Sequence, residues 1–130
     1  MISAWDCFRF ATLELVRSSP IKQRLVCAYR RHLAALPPEQ VPDDVRGSYI
    51  QVKQALCGVQ PLRGEDAVAA SVRKMSNQDA DDCAALIVEI FGMMSRRLTE
   101  AARTHSVVQL QPLERNASEY EISALLAGGS

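Results

Sequence analysis

Most of the marks of a familiar chemistry are missing from this chain. Aromatic residues make up only 5% of its 130 residues, so few rings are available to stack on nucleic-acid bases. Net charge is absent: 15 lysines and arginines balance 15 acids. That removes any global drive toward nucleic acid or an acidic membrane, and low repulsion mildly favours self-association. No apolar run approaches the roughly 18–20 residues needed to span a bilayer. The N-terminus lacks the cationic start and apolar run of a secretory signal. Cytoplasmic location follows as the expectation. Arginine outnumbers lysine and alanine is abundant, a bias associated with GC-rich, bacterial genomes.

The chemistry motifs are missing too. The four cysteines, Cys7, Cys27, Cys57 and Cys83, form no C-x-x-C pair and have no histidine at zinc-ligand spacing. They read as small buried hydrophobes in a reducing compartment, in preference to a disulfide framework. Gly58, Gly64 and Gly92 are isolated, so no loop cradles phosphate, and no G-x-S-x-G elbow occurs. Asp79, Asp81 and Asp82 match neither a calcium loop nor a di-iron helix pair, and they suit the start of a helix instead. No catalytic residue, metal or cofactor is expected.

What the chain does have is helical periodicity. From Asp79 to Arg103, Ala80, Ala84, Ile87, Phe91, Met94, Leu98 and Ala101 recur at spacings of four and three. Cys83, Leu86, Ile90 and Met93 form a second row beside them. So wide an apolar arc needs a bundle or a partner to cover it, and Phe91 should be almost fully buried. Upstream, a first helix is expected over residues 2–17, with Trp5, Phe8, Thr12 and Leu15 inward and Phe10 and Leu13 off the main stripe. Ser19 as N-cap and Pro20 at the first helical position restart the chain toward Leu36, where Pro37 and Pro38 stop it. Pro42, Asp43 and Asp44 open a third helix, carrying Val45, Tyr49, Val52 and Leu56 inward, with Gly47 marking a close contact and Gly58 ending it. A fourth helix begins near Gly64, and Ser76 with Asp79 forms a short capping box for the fifth.

After Arg103 the helical period is lost. Within residues 104–115, Val108, Leu110 and the residue between them alternate as a short strand would, though the chain offers no second strand to pair with it, and His105 is expected to cap the preceding helix. A short helix is expected at 118–126. The fold class is therefore all-α: an antiparallel bundle of four to five helices over residues 1–103, with a long central C-terminal helix and an extended tail over 104–130. That tail is too apolar for a free linker and should pack on protein.

Two features bear on function. Between Glu14 and Glu39 there is no acid, while Arg17, Lys22, Arg24, Arg30 and Arg31 are all basic. Arg24 and Arg31 share one face and Lys22 and Arg30 flank another. Arg73 and Lys74, or Arg96 and Arg97, join them if the fold brings them close. Such a face is either solvated or a contact surface for an acidic partner. The second feature is surplus apolar surface at Phe10, Leu13, Ile90 and Met93, with Gly92 as a gap in the core or a crossing point between two copies. The expected function is that of a small regulatory or adaptor protein, without catalysis, acting by protein–protein contact and pairing as a homodimer. Nucleic-acid binding through the basic second helix is the alternative, and an enzyme using His32 ranks third.

Overall fold

A computed structural model describes residues 2–110 of the chain, with side chains described to residue 104. The expected helix at 118–126 and the apolar side chains of the tail lie outside the described residues.

All the regular secondary structure among the described residues is helical, with five α-helices: α1 (Ala4–Leu15), α2 (Ile21–Ala28), α3 (Asp43–Cys57), α4 (Ala67–Lys74) and α5 (Asn77–Leu110). A π-helical turn (Tyr29–Leu33) extends α2, and a 3-10 turn (Pro38–Gln40) precedes α3. The chain divides between Ser95 and Arg96 into two units. The first holds α1 to α4 and the start of α5. α1 packs on α2 and the π turn, α2 on α4, and α4 on α3.

Local chemistry sets the boundaries. Ser3 starts α1 by a reciprocal capping box, with the Asp6 amide donating to Ser3 Oγ at 3.1 Å and the Ser3 amide to Asp6 Oδ2 at 3.3 Å. α1 therefore begins two residues later than its apolar pattern suggests, and Asp6 serves the cap. Pro20, not Ser19, is the N-cap of α2. Ser76 and Asp79 form the expected box for α5, at 3.0 and 3.3 Å. Asp66 caps α4 by accepting from the Ala69 amide at 2.8 Å. Gly64, in the turn before it, takes φ +84°, which favours glycine. Arg46 organises the entry to α3. It donates to the carbonyls of Pro38 and Val41 at 2.9 Å each and pairs with Asp43 at 2.8 Å.

The core joins Phe8, Ala11 and Leu15 of α1, Leu25 and Ala28 of α2, Tyr29 and Leu33 of the π turn, and Val45, Tyr49, Val52 and Leu56 of α3. Val68 and Val72 add α4, and Ala80, Cys83, Ala84, Ile87, Ile90 and Met94 add α5. Phe8 meets Tyr49 edge-on at 5.4 Å between ring centroids.

Several expectations are corrected here. Phe91 is only partly buried, because it lies at the margin of the core against Trp5, 5.5 Å between centroids. Ile87 is the fully buried residue of that seam. Leu98 and Ala101 are exposed. Residues 104–110 continue α5 and form no strand, and His105 is inside the helix, not at its end. Alternation of apolar and polar residues over so few positions does not outweigh the propagation of a long helix already nucleated. Gly47 is exposed and a side-chain carbon there would meet nothing within 4 Å, so it marks no close contact.

Candidate functional site

The site is built on Glu14, in the last turn of α1. It is 8% exposed, on the edge of the helix face that carries Ala11 and Leu15 into the core. A carboxylate there is disfavoured twice, by burial and by the negative end of the helix dipole. Three basic side chains offset this. His32 Nε2 lies 3.2 Å from Glu14 Oε2, Arg31 Nη1 donates to the same oxygen at 3.3 Å, and Arg17 Nε lies 3.5 Å from Oε1. The hydrogen bond with His32, then that with Arg31, hold the Glu14 carboxyl below the usual carboxylate range against the opposing effect of burial.

The π turn supplies two of these partners. Its defining bond runs from the Ala34 amide to the Tyr29 carbonyl at 2.8 Å. The wider turn leaves backbone carbonyls to satisfy near the end of the helix. Tyr49, fully buried on α3, answers with its hydroxyl, 2.7 Å from the Leu33 carbonyl and 2.8 Å from that of Leu36. Burial pushes the Tyr49 and Tyr29 phenols up, so both stay neutral. Lys53 Nζ donates to the Tyr29 hydroxyl at 3.1 Å. The turn that presents Arg30, Arg31 and His32 is thus anchored from beneath.

Beside Glu14, the Phe10 ring stacks on the His32 ring at 5.7 Å and 32°, and Arg9 lies over Phe10 at 5.4 Å. Phe10 and His32 border a groove of about 410 Å³. Its apolar walls are Ile2, Cys7, Phe10, Ala35, Leu36 and Pro37, and its polar lining is Arg31, His32 and Gln40.

The basic residues do not form one face. Arg24 and Arg31 do share a side, both reaching α1: Arg24 donates to the Leu15 carbonyl at 2.7 Å and Arg31 to Glu14. Arg30 turns to α4, where it bonds both oxygens of Asp66 at 2.9 Å. Arg73 pairs with Glu65 at 3.0 Å. These bonds hold the Asp66 and Glu65 carboxyls low, for Asp66 after the larger effect of its own cap. Lys22 and Lys74 make no ion pair among the described residues.

Of the residues expected at a self-association surface, Phe10 (37% exposed), Leu13 (47%) and Met93 (37%) are at the surface. Gly92 is exposed, and a side-chain carbon there would meet nothing within 4 Å, so it is not a gap in this core. Ile90 is 1% exposed and belongs to the core.

His32 has an oriented ring, as a general base would. The thiol that shares its groove, Cys7, is pushed up by burial and by Asp6, the opposite of nucleophile activation. All four cysteines are free, but only Cys83 is buried: Cys7 and Cys27 are half-buried and Cys57 is exposed at the last position of α3, against the expectation that all four are buried. Among the described residues no three His, Cys, Asp or Glu side chains gather as metal ligands, and no helix is long and apolar enough to cross a membrane.

Sequence reasoning missed Glu14 as a centre and the groove as a whole. Glu14 stood only as the boundary of the acid-free stretch. Its place three residues from Ala11, on the inward side of α1, was the one available signal. No family model matches the sequence, and no curated protein or solved structure is detectably similar to it.

Proposed function

We propose that this chain is a binding protein without catalysis, regulatory or adaptor in kind, whose contact surface for another protein is the outer face of α1. The observation that carries the reading is that Phe10 and Leu13, one turn apart on α1, are 37% and 47% exposed beside an apolar groove, with Val16 beyond them at 72%. Scattered single apolar residues at a surface are ordinary, whereas a ring, an aliphatic neighbour and a concave apolar wall together fit the anatomy of an interface core. Acid pairing of Arg30, Arg31 and Arg73 favours this reading over nucleic-acid binding, since a phosphate backbone would have to compete with Asp66, Glu14 and Glu65 for those guanidiniums. A second copy of the chain fits the surface as well as a foreign protein does, and sedimentation distinguishes the two.

Affinity purification from the native host with the wild-type chain and with Leu13→Asp tests it. Leu13 is outside the core, so the variant should keep the wild-type melting temperature within a degree or two. The partner, or the dimer, should be present with the wild type and lost with the variant. Equal recovery by both would refute the assignment.

A further inference from the structure

We infer that the groove between α1 and the π turn is a binding site for a small organic carboxylic acid with an apolar body, such as an aryl or short alkyl acid. This goes beyond the protein-binding reading; the two share Phe10 and the groove wall, but Leu13, whose substitution tests that reading, does not line the groove, so the two can fail separately.

The volume comes first. About 410 Å³ lies within the range of small-molecule pockets, which are mostly apolar with a few placed polar groups. The walls answer that description: Ile2, Phe10, Leu36 and Pro37 offer a slot for a ring or chain, and polar groups enter only through Arg31, His32 and Gln40.

Charge decides the sign of the ligand. Two acids lie near this lining: Asp6, which acts on Cys7 and is engaged in the Ser3 cap, and Glu14, which faces two guanidiniums, Arg17 and Arg31, before His32 is considered. With the imidazole neutral the Glu14 cluster still holds one more positive charge than negative, and Arg9 over the Phe10 ring offsets Asp6. Arg31 spends one N–H on Glu14, and its side chain remains 64% exposed. A guanidinium has five N–H donors in a planar fork suited to a carboxylate, so donors remain for a second one. Glu14 holds Arg31 and His32 together through a shared oxygen, which fixes both before a ligand arrives. Gln40, an exposed residue of the same lining, carries an amide that can donate to the same carboxylate.

The arrangement predicts discrimination by charge at constant shape. The test is a 1H–15N NMR titration of the full chain with 4-phenylbutyrate, its neutral amide and 4-phenylbutylamine. The carboxylate should shift the amides of Phe10, Arg31, His32 and Leu36 in a saturable manner, with affinity about 10-fold above that of the amide, the worth of one charge-assisted hydrogen bond. The amine should bind more weakly still. Arg31→Gln should bring the carboxylate down to the level of the amide and leave the amide unchanged, whereas a merely structural role would weaken both. Leu13→Asp should alter neither. Equal affinity for all three probes, saturable shifts elsewhere, or no saturation by about 10 mM would overturn the inference; the three-probe comparison on the wild-type chain stands even if the Arg31 variant does not fold.

Discussion

Glu14 concentrates the account at the level of single residues. Its carboxyl is held low in the folded chain, so in the unfolded chain it binds a proton more readily. The stability it contributes is present above the ordinary glutamate value and is lost as pH falls through its depressed one. Denaturant melts of the wild type should therefore weaken progressively below about pH 4.3, and Glu14→Gln should flatten that part of the profile. At neutral pH the same substitution should cost about 1–2 kcal/mol, the loss of charged acceptor bonds at a nearly buried site. Superimposable acid profiles for the two proteins would contradict the role assigned to Glu14. Tyr49 is the second decisive residue. Tyr49→Phe removes a buried hydroxyl from the carbonyls of Leu33 and Leu36 and should cost about 1–3 kcal/mol. Both buried phenols are raised, so their contribution is whole below about pH 10 and fades at higher pH as the folded-state values are approached. The cysteines separate by position. A maleimide should label exposed Cys57 first and Cys83 last, since Cys83 is buried and its thiol is pushed up to about 11. Labelling of Cys83 ahead of Cys57 in native protein would contradict that order.

Among the elements, legibility followed the range of the interaction. The capping box at Ser76 and Asp79 spans three residues and was readable as written. The core face of α3, and that of α5 as far as Met94 apart from the half-buried Phe91, was readable because burial repeats with the helical period: Val45, Tyr49, Val52, Leu56, Ala80, Ala84, Ile87 and Met94 all lie inside, whereas Leu98 and Ala101 do not. What the sequence did not disclose needed long-range knowledge. The bonds of Glu14 reach 17 and 18 residues along the chain, and no local pattern marks them. The π turn is equally silent, because YRRHL contains no glycine or proline to announce it. Its irregular carbonyls are stabilised by Tyr49 from another helix, so its cause lies in tertiary structure. Two substitutions test the α5 assignment. Ile87→Ala should cost about 2–5 kcal/mol, as a fully buried side chain leaves a cavity. Gly92→Ala should stabilise by about 0.5–1 kcal/mol, because the added methyl meets nothing and the helix gains propensity. A lower melting temperature for Gly92→Ala would mean that a neighbour, such as a second copy, occupies that face.

Across the whole molecule, zero net charge conceals a definite arrangement. In the acid-free stretch Arg30 and Arg31 pair with Asp66 and Glu14 and Arg24 donates to the Leu15 carbonyl, so these three cations serve internal contacts in the fold, while Lys22 forms no ion pair among the described residues. The exposed face of α1 carries two large apolar side chains, Phe10 and Leu13, beside Arg9, and our reading of function rests on that contrast. Photo-crosslinking in the native host is the most direct measurement. A benzophenone amino acid is placed in turn at Leu13, on the α1 face, and at Lys22 and Lys74, two cations of the basic set without an ion pair among the described residues. The account predicts a discrete protein adduct from position 13 and none from 22 or 74. Nucleic-acid adducts from positions 22 and 74, with nothing captured from 13, would contradict it.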